Sequence, residues 1–271
     1  MVRGNQVQEA RMARVSVEYK DHIAHVTLTR GDKMNALDDA MIKAILSAGQ
    51  EVAASDARAV ILSGAGKSFC AGLDMASFAS MAQKDPTEWL MTRSHEDANE
   101  MQELALVWRR VPVPVICAIQ GVAYGGGLQI ALGADIRIAH PESKLAVMEM
   151  KWGIIPDMGG MVLLPRLVRS DVLRLLTYTA RPIGALQAVE WGLVTKVSDD
   201  PLTEALALAE DIAGKSPSAI RAAKRLIDVA ESKSRADVLS EESAEQVALI
   251  GKPDQMEVVM AQMQGRKPEF K

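Results

Sequence analysis

Val113-Pro-Val-Ile-Cys-Ala-Ile119, running into Gln120-Gly-Val-Ala-Tyr-Gly-Gly-Gly-Leu128, is the stretch on which the reading of this chain turns. Val113 to Ile119 is a short apolar run opened by prolines, the pattern of a strand buried on both faces. Gly121 to Gly127 is a glycine-rich turn, and it feeds a helix expected from Leu128 to Gly133. A helix N-terminus carries unpaired backbone N–H groups at the positive end of the helix dipole. Glycine lets a ligand come close to that backbone. A turn of this kind can hold an oxyanion, or it can be a tight turn with nothing bound.

Outward from this point strands and helices alternate, which implies an α/β core. Val15 to Thr29 carries alternating β-branched residues and predicts two strands around a turn at Lys20-Asp21. Asp38 is placed to cap a helix whose stripe is Met41, Ile45, Ala48 and Val52. Ala59-Val-Ile-Leu62 reads as a buried strand closed by Ser63-Gly-Ala-Gly66, and residues 76–108 read as helical. Ile136 to Ala139 and Lys144 to Met150 read as further strands. Helices are expected at about 159–168, 170–178, 184–191, 201–214 and 216–231. The chain divides into a polar extension (1–13), an α/β core (14–200) and a helical region (201–271).

Composition narrows the function. Of 271 residues 48% are apolar, enough for a sizeable core, and the net charge is -4. A nucleic-acid or membrane-surface binder would normally be basic, so neither partner is expected. The two cysteines, Cys70 and Cys117, lie far apart and form no disulfide framework or metal-ligand spacing. No apolar run is long enough to span a bilayer, and residues 1–12 lack a signal-peptide core. The expected location is the cytoplasm.

Several familiar motifs fail. Gly64-Ala-Gly66-Lys67-Ser68 ends like a phosphate-binding loop, but Ile61 stands where that motif needs its first glycine. No Gly-x-Ser-x-Gly elbow exists. His22, His25, His95 and His140 form no metal-binding pair, and no metal is expected. Three other features carry chemistry. Phe69-Cys-Ala-Gly-Leu-Asp74 is a second strand-exit turn, in which Asp74 could simply cap the next helix. Glu149 falls in the apolar run Lys144-Leu-Ala-Val-Met-Glu-Met150, where burial would raise its pKa toward neutrality. It could equally be an exposed glutamate at a strand end. Asp157 follows Gly153-Ile-Ile-Pro156, where the proline turns the chain. It could face back toward Glu149, or cap a helix before Gly159-Gly160.

In this order the pieces resemble the crotonase (enoyl-CoA hydratase/isomerase) superfamily over residues 14–271. The resemblance runs through Arg30-Gly-Asp-Lys-Met-Asn-Ala-Leu37, Ser68-Phe-Cys-Ala-Gly-Leu-Asp74 and Gly121-Val-Ala-Tyr-Gly-Gly-Gly-Leu128. It continues in Gly133-Ala-Asp-Ile-Arg-Ile-Ala139, Trp152-Gly-Ile-Ile-Pro156, Glu190-Trp-Gly-Leu-Val-Thr195 and Gly265-Arg-Lys-Pro-Glu-Phe270. It implies a crotonase-like spiral of ββα units with a C-terminal helical trimerisation region, and a homotrimer or dimer of trimers. It implies an acyl-CoA thioester substrate and no separate cofactor, coenzyme A being part of the substrate. The oxyanion donors would be the N–H groups of Leu73 and Gly126. Ala71, Gly72, Asp74 and Gln129 would line the substrate, and Lys33, Arg266 and Lys267 would be candidates for the CoA phosphates.

One departure bears on the reaction. Hydratases of the family use two glutamates, and the first of those positions is Gln129 here. The second is matched by Glu149. Simple enoyl-CoA isomerases manage with that single glutamate. Dienoyl-CoA isomerases add an aspartate where Asp157 stands, although they also carry an acid at the position of Gln129. The resemblance therefore implies Glu149 and Asp157 as catalytic residues, with double-bond isomerisation ahead of hydration. The remaining alternatives are a hydratase proper and a non-catalytic acyl-CoA-binding protein.

Overall fold

The computed structural model describes residues 14–77 and 85–270. The expected N-terminal extension (1–13), and part of the helix expected over 76–108, lie outside them. The chain opens with a hairpin of β1 (Val15–Lys20) and β2 (Ile23–Leu28). Its two-residue turn, Asp21-His22, takes positive φ at both positions, the geometry that matches the twist of the flanking strands. Helix α1 (Asp39–Ala54) follows, with the Asp38 carboxylate accepting from Met41 N at 2.8 Å. Met41, Ile45, Ala48 and Val52 are buried on one face.

β3 (Ala59–Gly64), β4 (Val115–Ile119), β6 (Ile136–Ala139) and β9 (Lys196–Val197) complete a six-stranded sheet in the order β1-β2-β3-β4-β6-β9. All pairs beyond the hairpin are parallel. β3 and β4 are buried along their whole length, as their unbroken apolar runs require. A smaller sheet holds β5 (Val122–Tyr124), β7 (Lys144–Ala146) and β8 (Ile183–Gly184). Isolated bridges Leu37 to Leu73 and Cys70 to Ala123 lie outside the named strands, the second joining the 68–73 segment to β5. The chain thus runs from a strand of the large sheet to one of the small sheet and on to a helix: β4, β5, then α4 (Gly126–Leu132). This is the spiral of ββα units.

Two local expectations change. The stretch 76–108 is not one helix. Its described part holds α2 (Pro86–Met91) and α3 (Glu100–Arg110), with a bridge between His95 and Ala98 before α3. Asn99 and Gln102 form a reciprocal capping box that starts α3 afresh. The strand at Lys144 stops at Ala146, and Glu149–Trp152 is a 3-10 turn. The strand's parallel partner β5 ends at Tyr124, opposite Ala146, and β8 pairs only with Lys144 and Leu145, so no partner continues the strand.

Helices α5 (Gly160–Leu167), α6 (Ser170–Thr179) and α7 (Ala185–Glu190) lead to β9. Helices α8 (Pro201–Ala213), α9 (Pro217–Ala230), α10 (Arg235–Leu249) and α11 (Pro253–Gln264) complete the chain. α8 lies on the large sheet through Ala205, Ala209 and Ala213, which pack with Ile61, Ile116 and Ile138. Small side chains set how close helix and sheet approach. Ala209→Leu is therefore expected to overpack this layer and cost about 1–3 kcal/mol, read as a lower urea midpoint with an unchanged slope.

Candidate active site

The site is assembled from backbone at three strand exits. The 64–73 segment is held by Asn35, which is fully buried and adopts a left-handed φ of 53°. Its Nδ2 faces the carbonyls of Ala65, Ser68 and Phe69 at 3.0, 2.9 and 3.0 Å. Asparagine is among the few non-glycine residues that tolerate this conformation. Leu37 then donates to Gly72 O and accepts from Asp74 N, at 2.8 and 2.9 Å. In a parallel bridge of this kind the intervening residue, Leu73, turns its own N–H to the opposite side.

Cys70 binds the second exit in the same way, donating to Val122 O and accepting from Tyr124 N. Gly125 caps α4 with φ 51° and ψ -121°, a conformation open to glycine. Gly126 is the first residue of α4, so its N–H has no acceptor within the helix. A Cβ added at Gly72 would stand 3.6 Å from Gly126 N and 2.6 Å from Tyr124 O. The Leu73 turn and the Gly126 N–H are therefore neighbours, the arrangement a pair of donors to one oxygen needs.

The third exit brings the carboxylates. Glu149 is only 6% exposed. Its Oε1 accepts from Gln129 Nε2 at 2.6 Å, and its Oε2 is buried with no hydrogen-bond partner among the described residues. Oε1 would lie 3.4 Å from a Cβ at Gly125, so this carboxylate sits against the turn that presents Gly126. Burial pushes the Glu149 pKa up, and the Asp157 charge adds to the shift. Asp157 is half-buried and its pKa is also raised by burial. It caps no helix: α5 begins after Gly159, which takes φ 85° with no side-chain cap.

Gln129 has a different set of partners from the one the resemblance implied. It is 2% exposed, and its Oε1 accepts from Met158 N and Gly160 N, each at 2.9 Å. The amide is a clip between Glu149 and the loop after Asp157. An uncharged amide donates to the carboxylate and accepts from the two backbone N–H groups without needing a shared proton, as a second carboxyl group would. Nothing in the one-dimensional pattern distinguished this from a side chain facing substrate.

The other expected residues are spread around the rim or away from it. The Asp74 carboxylate pairs with Arg30 at 2.6 Å and accepts from Ala76 N at 3.0 Å, and these contacts hold its pKa below the usual carboxylate range. Ala71 N donates to Met34 O at 2.9 Å. Lys33 ends an exposed 3-10 turn, and its charge reaches Asp74. Arg266 and Lys267 are not brought to this site. Arg266 pairs with Glu257, and the tail runs to Phe270, whose carbonyl accepts from Arg58 just before β3, at the strand end opposite the 64–73 turn. Three contributors escaped the sequence reading: Asn35, Arg30 and Met158. Met158 Sδ would be 2.6 Å from a Cβ at Gly126 and so walls the helix start. For Arg30 and Asn35 the available signal was the motif Arg30-Gly-Asp-Lys-Met-Asn-Ala-Leu37, which includes both without giving them a role.

Burial of Glu149 has a consequence for stability. Its pKa in the fold lies above its unfolded value, so the fold disfavours the ionised form. Stability falls as pH rises from the unfolded value through the folded one. Glu149→Gln keeps the acceptor for Gln129 and removes that charge. Its melting temperature is expected to match wild type in acid and to equal or exceed it at neutral pH. A variant that melts below wild type only at neutral pH would contradict this.

Comparison with known proteins agrees with this geometry. The family model described as enoyl-CoA hydratase/isomerase matches residues 18–271. The mitochondrial Delta(3,5)-Delta(2,4)-dienoyl-CoA isomerase of Rattus norvegicus is 34% identical over 214 residues, covering 75% of this chain. This chain spans only 64% of that relative's length. The (E)-benzylidenesuccinyl-CoA hydratase of Thauera aromatica is 34% identical over 215 residues, covering 78% of this chain and 80% of that protein. A crystal structure of an enoyl-CoA hydratase from Bacillus anthracis superposes with a TM-score of 0.85 at 31% identity, covering 95% of this chain and 99% of that one. With the matching ββα spiral and the paired glycine turns, these findings make the chain a member of the enoyl-CoA hydratase/isomerase family, in the crotonase superfamily.

Proposed function

We propose that this protein moves a carbon–carbon double bond in an acyl-CoA thioester, by isomerisation rather than hydration. The observation that carries the reading is the Gln129 amide bonded to Glu149. Hydration in this family draws on two carboxyl groups, and the first of those positions here cannot exchange a proton near neutral pH. The thioester oxygen would rest on the N–H groups of Leu73 and Gly126, which stabilise the charge of an enolate. Glu149 Oε2 would take a proton from C2 of a 3-enoyl chain, and the electron pair would pass into the enolate. The same carboxyl group would return the proton at C4, leaving the double bond between C2 and C3. Atoms balance without water.

Asp157 supports an extension to conjugated dienes. There the proton leaves and returns at carbons too far apart for one carboxyl group. A second acid with a raised pKa, close enough to act on Glu149 electrostatically, suits that task. Lys33 is the candidate contact for a CoA phosphate at the rim. A homotrimer or dimer of trimers is part of the same proposal, and is supported by the exposed apolar residues Leu239, Val247, Val259 and Met263 of α10 and α11. Among the described residues no helix is long and apolar enough to cross a membrane.

A panel of 3-enoyl-, 2-enoyl- and dienoyl-CoA substrates tests the reading, with products followed by ultraviolet absorbance and mass. Isomerisation leaves the mass unchanged, whereas hydration adds one water. Glu149→Gln is expected to lower turnover by about 10²–10⁴-fold. Asp157→Asn should be mild on 3-enoyl substrates and severe on dienoyl ones. Hydrated product as the main outcome, or no turnover at all with tight acyl-CoA binding, would overturn the proposal.

Gln129→Glu probes the carrying observation. It keeps an acceptor for Met158 and Gly160 but sets a second carboxyl oxygen beside Glu149, so the two must share a proton. The ratio of hydrated to isomerised product is expected to rise. An unchanged ratio would mean either that Asp157 already supplies the second carboxyl group or that position 129 does not face the substrate.

A further inference from the structure

A cavity of about 380 Å³ lies between the large sheet and the C-terminal helices, lined from α3, α4, β6, α5, α8 and α9. Its volume falls in the range of roughly 300–1,000 Å³ of small-molecule sites. The walls include Leu132, Ile136, Leu163 and Ile220. The charged lining consists of Arg109, Arg137, Arg166 and Lys224 against Asp135, Asp228 and Glu231. Cations therefore exceed carboxylates by one.

The ion pairs identify the excess charge. Asp135 is held by Lys224 at 2.7 Å and by Val115 N at 2.7 Å. Asp228 pairs with Arg109 at 2.6 Å, and Glu231 takes both Arg109 and Arg166. Arg137 forms no ion pair among the described residues. It is 4% exposed, donates from Nε to Leu193 O at 2.8 Å and from Nη1 to Ala134 O at 2.5 Å, and lines the cavity. A buried guanidinium with no carboxylate in direct contact is costly to maintain, and the Asp135 charge offsets only part of that cost. Burial pulls its pKa below the ordinary value.

We propose that this cavity binds a medium-chain alkyl carboxylate, its headgroup paired with Arg137 and its chain against the apolar walls. One negative charge balances the lining, and the apolar walls suit an alkyl tail. The cavity borders the C-terminal end of α4, whereas Gly126 begins that helix, so this pocket is separate from the thioester site.

Titration calorimetry with octanoate, octanol and octylammonium tests the proposal. Octanoate is expected to bind one site per chain, at least about tenfold more tightly than octanol, with octylammonium not binding. Arg137→Met should remove the preference for octanoate over octanol. Because that variant disturbs a buried residue, Ala223→Trp provides the second arm. Ala223 is exposed on α9 and lines the same cavity, so a large side chain there fills space without entering the core. Ala223→Trp should keep its melting temperature and turnover and lose octanoate affinity by about tenfold or more. No octanoate binding to wild type would overturn the proposal. So would equal affinity for octanol, unchanged affinity in Ala223→Trp, or displacement of octanoate by saturating acyl-CoA with no other effect.

Discussion

The Gln129 amide is the interaction on which the site depends. Two backbone N–H groups, of Met158 and Gly160, need an acceptor in a place water does not reach, and a buried carboxylate needs a donor. One side chain satisfies all three. A hydrogen bond contributes about 0.5–1.5 kcal/mol net, but a buried group left unpaired costs about 1–3 kcal/mol. Losing the amide would strand two donors and one acceptor together. The same bonds fix the start of α5, the loop carrying Asp157 and the orientation of Glu149, whose second oxygen is left for other chemistry.

Around this clip, structure and chemistry share the main chain. The candidate oxyanion donors are backbone N–H groups, and what places them is backbone hydrogen bonding: Leu37 with the 72–74 turn, and Cys70 with β5. Such donors do not rotate, so they need no reorganisation when charge develops on a bound oxygen. The fold secures them with side chains bonded to the turns themselves. Asn35 collects three carbonyls of one turn, and Arg30 fastens Asp74 and Ala36 across it. Glycine is required where a side chain would strike backbone, as at Gly72 against Tyr124 O.

Burial of two carboxyl groups side by side works against stability and toward reactivity. Both pKa values rise chiefly for the same reason, loss of water around the charge, and the Asp157 charge raises that of Glu149 further. The buried cysteines show the same physics. Cys70 is buried, its thiol pushed up to about 12, and it serves as a hydrogen-bond donor to Asn35 O.

The sequence by itself determined the α/β class, the opening hairpin and the buried strands at 59–62, 113–119 and 136–139, the stripe of α1 and the glycine turns. Each of these rests on a local pattern: an apolar run, a period, or a backbone conformation few residues adopt. It also pointed to Glu149 and Asp157, because motifs in register carry a family's residues with them. It misplaced the turn after Ala146, since whether a strand continues depends on its partners, and β5 ends at Tyr124 opposite Ala146. It left open whether Asp157 caps a helix, and it did not show what Gln129 bonds to within the protein. Those questions were decided by tertiary structure alone. The direction a buried polar side chain faces is set by which unpaired groups surround it, and for Gln129 those groups come from residues 149, 158 and 160, brought beside α4 only when the spiral closes.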